Sequence, residues 1–251
     1  MAPPLSAVFF DFAGTLWSDR ALRDVHLQQL RFVADTAGFD GGDEELRAAY
    51  RSGMGVAYRE VATQPAYLHR TLFAAAFRGT AVALGGEIDA ATADEAVDRQ
   101  YAATIDAAVL RPDALETLRE LRRRSLHVQV VSNIDDEQLE PMLDRLGLRE
   151  VIDAATSSEE ARSCKPDPGI YRIALAKAGC EPARVLFVGD SLRHDVEGPA
   201  AMGMRSALLA IDASMGRGSG GPAGRDEACP DFVIEALDEV LGIVGAEMVG
   251  R

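Results

Sequence analysis

Apolar positions along this chain follow two rhythms. Short unbroken runs, at Ala7–Asp11, His127–Ser132, Val151–Ala154, Arg184–Gly189, Ser206–Ala210 and Asp231–Ile234, read as strands. They do not alternate with polar residues, as expected for parallel strands covered on both faces. Between them the spacing becomes helical, as at Leu115/Leu118 and Leu139/Met142/Leu143/Leu146. Pro112 and Asp113 suit a helix start, and Pro168 opens the helix that carries Tyr171. The alternation predicts a doubly wound, parallel α/β domain.

One stretch departs from it. From Trp17 to Asp106 no strand is evident, only amphipathic helix patterns: Leu30/Val33/Ala34/Ala37, Leu68/Leu72/Ala75/Ala76, and a third around Ala93–Ile105. Gly41-Gly42 and Gly85-Gly86 punctuate them, and Arg51, Gly53 and Gly55 read as a further helix–helix turn. The block is too long for a βα connection. It predicts a small all-α helical-bundle domain at residues 17–106, set into an α/β core of residues 1–16 and 107–251. A Gly-rich stretch, Ser214–Gly224, reads as a surface loop before the last strand.

Charge narrows the partners. The formal net charge is −14 over 251 residues, and no basic stripe exists to neutralise a nucleic-acid backbone. Lysine occurs only as Lys165 and Lys177; every other cationic residue of the 26 is arginine. The 3 cysteines, Cys164, Cys180 and Cys229, show no metal-binding spacing and point to a reducing cytoplasm. Met1-Ala2-Pro3-Pro4 leads into a strand without a signal-peptide pattern. No apolar run approaches the roughly 18 residues that span a membrane.

The candidate chemistry gathers at strand ends. Asp11 closes the first strand ahead of the small-residue turn Ala13-Gly14-Thr15, where α/β proteins collect ligands. Ser132-Asn133 closes the second, Lys165-Pro166-Asp167-Pro168 follows the third, and Gly189-Asp190-Ser191-Leu192-Arg193-His194-Asp195 follows the fourth. In this order the four segments resemble the motifs of the haloacid dehalogenase superfamily, and the resemblance extends over nearly the whole chain. It implies a Rossmann-like core with a helical cap, Asp11 as nucleophile and Lys165 as its neutralising cation. It also implies phosphoryl contacts from Ser132, Asn133, Gly14 and Thr15. Mg²⁺ would be held by Asp11, the carbonyl of Ala13, Asp190 and Asp195, with Asp195 as a direct or water-mediated ligand. The charge logic agrees: phosphoryl transfer develops negative charge on equatorial oxygens, and Mg²⁺ favours oxygen ligands including one or two carboxylates.

The chain departs from the resemblance at Ala13, where most such phosphatases carry a second Asp that protonates the leaving group and later activates water. A group of that kind is worth about 10² to 10⁴ in rate, so an activated leaving group such as an acyl phosphate is expected. Phosphonoacetaldehyde hydrolases also carry Ala there but use a cap lysine, and residues 17–106 contain none. Haloacid dehalogenases lack the metal-binding fourth motif, so dehalogenation fits poorly. Two readings stand. One is a Mg²⁺-dependent phosphohydrolase acting on a small phosphorylated molecule through an aspartyl-phosphate; the other is a relative with little or no catalysis that binds a phosphorylated ligand or protein. In the helical block Arg51 and His69 are the candidate substrate contacts, His69 as a replacement proton donor. Asp135 and Asp136 read as helix-start charges, Cys164 as a small loop residue, and the oligomeric state is left open.

Overall fold

The computed structural model describes residues 3–18, 22–61, 63–210 and 229–249. The chain divides into two compact units. The first comprises Met1–Ser18, Val109–Asn133 and Leu143–Arg251, and the second Asp19–Ala108 together with Ile134–Met142. The described helices, in chain order, are α1 (Leu22–Thr36), α2 (Asp43–Val61), α3 (His69–Ala83), α4 (Ala90–Ala107), α5 (Ala114–Arg123), α6 (Asp136–Arg145), α7 (Ser158–Ala161), α8 (Pro168–Ala178), α9 (Gly198–Ala201) and α10 (Val240–Val249). The predicted loop Ser214–Gly224 lies outside the described residues.

The first unit is an α/β fold around six parallel strands: β1 (Ala7–Phe10), β2 (His127–Ser132), β3 (Ala154–Ser157), β4 (Val185–Gly189), β5 (Arg205–Leu209) and β6 (Phe232–Ile234). Their spatial order is β3-β2-β1-β4-β5-β6. All four residues of β1 and all five of β4 are buried, which explains why they read as continuous apolar runs. Ala7 and Phe9 pack with Val131, Val185, Phe187 and the α8 residues Ile170, Tyr171 and Ala174 in one core cluster. The strand order reverses at β1, so the carboxyl ends of β2, β1 and β4 lie side by side at the position where open α/β sheets bind ligands.

One predicted strand is displaced. Val151 and Ile152 are buried, but their N–H groups bond back to the Leu148 carbonyl at 2.9 and 3.0 Å. The apolar pair therefore belongs to a turn, and β3 begins at Ala154.

The helical unit is built on small side chains. Leu30, Val33, Ala34, Leu46, Ala74, Phe77, Ala81, Ala93, Ala96, Val97 and Tyr101 form its main buried cluster. The turn expected at Arg51, Gly53 and Gly55 is absent: α2 runs unbroken through all three residues. A Cβ at Gly53 would lie 2.5 Å from the Ala76 carbonyl and 2.8 Å from the Thr80 nitrogen. The glycine is there for close approach to α3 rather than for a reversal. Among the described residues no helix is long and apolar enough to cross a membrane.

Candidate active site at the carboxyl ends of the strands

Asp11 leaves β1 with its N–H bonded to the Val188 carbonyl at 2.8 Å, so the sheet itself fixes where the side chain departs. Its carboxylate is buried and held from three directions. Lys165 Nζ donates to Oδ1 at 2.6 Å, Ser132 Oγ to Oδ1 at 3.2 Å, and Thr15 Oγ1 to Oδ2 at 3.2 Å. Lys165 Nζ also donates to Asp195 Oδ1 at 2.8 Å. Asp195 sits in a π-helical turn, Leu192–Glu197, and its Oδ2 accepts from the Ser191 N–H at 3.0 Å. Ser191 caps that turn by accepting from the His194 N–H. Asp190 follows Gly189 at the end of β4 and is left to face the other two acids.

Glycines make this crowding possible. A Cβ on Gly14, whose φ is +85°, would lie 2.5 Å from Asp190 Oδ2, and one on Gly189 would lie 2.3 Å from the Asp195 carboxyl carbon. Ala13 lies in the turn between Asp11 and Gly14, bridged to Trp17, with its methyl exposed.

Each of Asp11, Asp190 and Asp195 offers an oxygen within 4.8 Å of the others. Burial, followed by the charges of Asp11 and Asp195, pushes the Asp190 carboxyl up to about 7. Burial likewise raises Asp195 to about 6, against the pull of Lys165. Burial alone would favour the neutral amine of Lys165; Asp11 and Asp195 outweigh it and hold the ammonium above its usual range. One lysine thus faces three carboxylates. An oxygen-only donor set with surplus negative charge fits a hard divalent cation.

The Asn133 side chain serves the segment that carries Lys165. Its Oδ1 accepts from the Lys165 N–H at 2.6 Å and its Nδ2 donates to the Lys165 carbonyl at 3.0 Å. The amide is spent in both directions on the backbone that carries the lysine. Arg51 is exposed on α2 and pairs with Glu44 at 3.1 Å. His69 opens α3, its ring nearly buried and Nδ1 3.6 Å from Asp135 Oδ1.

Three residues given little or no role by the sequence carry structure here. Asp135 stands at the start of α6 as expected, but it is 1% exposed and its side chain serves another helix. It accepts from the His69 N–H at 2.8 Å, the Arg70 N–H at 2.7 Å and Tyr101 Oη at 3.1 Å, which closes the start of α3. Burial would raise its carboxyl, but the His69 ring and the two N–H donors outweigh that and hold it below the usual range. Tyr171 Oη donates to the His194 carbonyl at 2.5 Å, beside Asp195. Arg111 donates from Nε to the Thr15 carbonyl at 2.8 Å and from an Nη to the Gly14 carbonyl at 2.7 Å. No motif marks these three; each acts on partners remote in sequence.

Residues 5–203 match the model of the haloacid dehalogenase-like hydrolases, and the chain belongs to that hydrolase family. It is 40% identical over 128 residues to the human haloacid dehalogenase-like hydrolase domain-containing protein 3, a match spanning 51% of this chain and 49% of that protein. The chain thus aligns with about half the length of that relative. It is 25% identical to the ribulose-1,5-bisphosphate 5-phosphatase of Halopiger xanaduensis over 95% of this chain and 99% of that one. Among solved structures, a HAD phosphatase from Thermococcus onnurineus superposes with a TM-score of 0.70 at 22% identity, covering 96% of this chain and 98% of that one. That likeness speaks for the fold.

Proposed function

We propose that this hydrolase is a Mg²⁺-dependent phosphohydrolase of a small phosphorylated molecule, with Asp11 as the nucleophile. The observation that carries the reading is the Asp11 carboxylate, fixed at the strand-order reversal by Lys165, Ser132 and Thr15 beside two further acids. An Asp11 oxygen attacks phosphorus, and the bond to the leaving group breaks with its electron pair. Water then attacks the aspartyl-phosphate, releases phosphate and restores the carboxylate. Lys165 offsets charge on Asp11 and on the phosphoryl oxygens, while the hydroxyls of Ser132 and Thr15 turn to donate to those oxygens. Asn133 keeps Lys165 in place through its side chain and offers the phosphoryl group its backbone. Asp11, the Ala13 carbonyl, Asp190 and Asp195 would hold Mg²⁺, which supplies positive charge against the transferring group.

Ala13 sets the leaving-group preference. With no acid there, an alkoxide must leave unprotonated, at a cost of about 10² to 10⁴ in rate. An acyl phosphate, whose carboxylate leaves readily, escapes most of that cost. Residues 17–106 are proposed as the cap that excludes water during transfer. Arg51 and His69 are its candidate substrate contacts, with His69 as the candidate replacement for the missing proton donor. The name of the Halopiger relative supports a small phosphorylated metabolite, and three cysteines in no disulfide suit a cytoplasmic location. The second reading, a ligand-binding protein without turnover, rests on Ala13.

The test is Mg²⁺-dependent phosphate release from acetyl phosphate and from an alkyl phosphate, for the native chain and Asp11→Asn. The expected result is turnover of acetyl phosphate at least about 10²-fold faster than of the alkyl phosphate, lost in Asp11→Asn. Native protein that binds Mg²⁺ but releases phosphate from neither would favour the binding role.

A further inference from the structure

Arg111 lies where the chain returns from the helical unit. Residues 16–18 and 109–111 form a short ladder there: Trp17 and Leu110 make an antiparallel bridge, Ser18 N–H donates to the Val109 carbonyl at 3.2 Å, and Arg111 N–H donates to the Leu16 carbonyl at 2.9 Å. The guanidinium then reaches back to the carbonyls of Gly14 and Thr15, 97 and 96 residues earlier. Two charge-assisted bonds from one planar group fix two successive peptide planes. Because a trans peptide carries its C=O and N–H in opposite directions, holding the Gly14 carbonyl also fixes where the Thr15 N–H points.

Those planes matter because of what hangs from them. Thr15 Oγ1 donates to Asp11 Oδ2, and the Gly14 α-carbon approaches Asp190 so closely that a Cβ there would touch its carboxylate. The turn is wedged between two of the three clustered acids, whose mutual repulsion would otherwise drive them apart. Other backbone bonds of the turn, Gly14 N–H to the Trp17 carbonyl and both Leu16 N–H and Trp17 N–H to the Phe12 carbonyl, use neither the Gly14 nor the Thr15 carbonyl.

We propose that Arg111 is a positioning residue that locks the Gly14–Thr15 turn and thereby holds Asp11 and Asp190 at the separation a divalent cation needs. This rests on the metal-dependent reading above. The guanidinium bonds backbone carbonyls, so it acts on the reaction only through the turn, and its loss weakens metal binding and slows turnover.

Trp17, the single tryptophan, is 2% exposed in the same turn and packs edge-on against Phe12 with ring centroids 6.0 Å apart, so its fluorescence reports on this segment alone. The experiment compares the native chain, Arg111→Met and Arg111→Lys by acrylamide quenching of Trp17 without metal, Mg²⁺ titration by calorimetry, and acetyl phosphate kinetics. Both variants keep the backbone bond to Leu16, and far-UV circular dichroism checks their fold. Arg111→Met is expected to raise quenching, to weaken Mg²⁺ binding about tenfold and to lower kcat about 10- to 100-fold. Arg111→Lys, able to meet one carbonyl, falls between. Native Mg²⁺ affinity and kcat in a folded Arg111→Met would overturn the inference alone. A native chain that binds no Mg²⁺ would overturn the metal-dependent reading and this inference with it.

Discussion

Three charged groups of the α/β unit, Asp11, Lys165 and Asp195, are buried together at the ends of its strands, with half-buried Asp190 beside them. In the helical unit the ion pairs of Arg31 with Asp43, Arg51 with Glu44 and Arg99 with Glu95 are at the surface. Its buried acid, Asp135, is met by N–H and O–H donors. The cores differ as well, with Phe9, Phe10 and Phe187 filling the sheet and alanines lining the helices. A carboxylate satisfied by backbone donors is a structural part. Three carboxylates sharing one lysine are left short of positive charge, a state that stabilises nothing by itself and suits a cation and a charged substrate.

Lys165→Met would sharpen the contrast most. It leaves three clustered acids without their cation, and breaking a buried pair in this way costs about 3–5 kcal/mol. Chemical denaturation should show that loss, with saturating Mg²⁺ restoring part of it. An unchanged midpoint without metal would show that the acids are not buried as charges.

In the helical unit the corresponding weak point is packing. Gly53→Ala gains about 1 kcal/mol of helix propensity, but the new methyl meets the backbone of α3, and overpacking of that kind costs about 1–3 kcal/mol. The clash is expected to win, lowering the melting midpoint of this unit while Mg²⁺ affinity stays native. A stabilised variant would mean that α2 and α3 move apart easily.

Asp135→Ala removes the acceptor that closes α3, a cap worth about 0.5–2 kcal/mol. The readout is faster amide exchange at His69 and Arg70; native exchange there would show that water replaces the carboxylate.

The smallest effect is one of sign. The lowered Asp135 carboxyl gives stability that is present above the ordinary carboxyl value, near pH 4, and lost as pH falls through the lowered one. The raised carboxyls of Asp190 and Asp195 do the opposite. Their contribution is complete below about pH 4 and lost as pH rises through about 6 and about 7. In metal-free protein, hydrogen exchange corrected for its intrinsic rate should therefore show the helical unit loosening in acid and the α/β unit loosening toward neutrality. Mg²⁺ should reverse the second trend, because the cation competes with those protons. Parallel trends in both units would break the comparison.

How much of this could be read from the chain varied with distance. Asp11, Ser132, Lys165, Asp190 and Asp195 were legible because each follows or ends a strand or loop whose local pattern is plain. The glycines at 53 and 55 misled, since a glycine that permits helix contact has the same letter as one that permits a turn. Val151 and Ile152 misled in the same way, being apolar for a buried turn rather than a strand.

What the sequence by itself determined is the succession of elements, the family and the residues delivered to the strand ends, because hydrophobic period and turn chemistry act over a few neighbouring residues. The tertiary structure decided the rest. It made Asp135, a helix-start charge, also a buried cap for residues 65 and 66 positions earlier. It gave the Asn133 amide to the backbone of Lys165 and brought Arg111 onto the turn after Asp11. A buried donor or acceptor takes whichever partner packing brings within about 3 Å, wherever that partner lies in the chain.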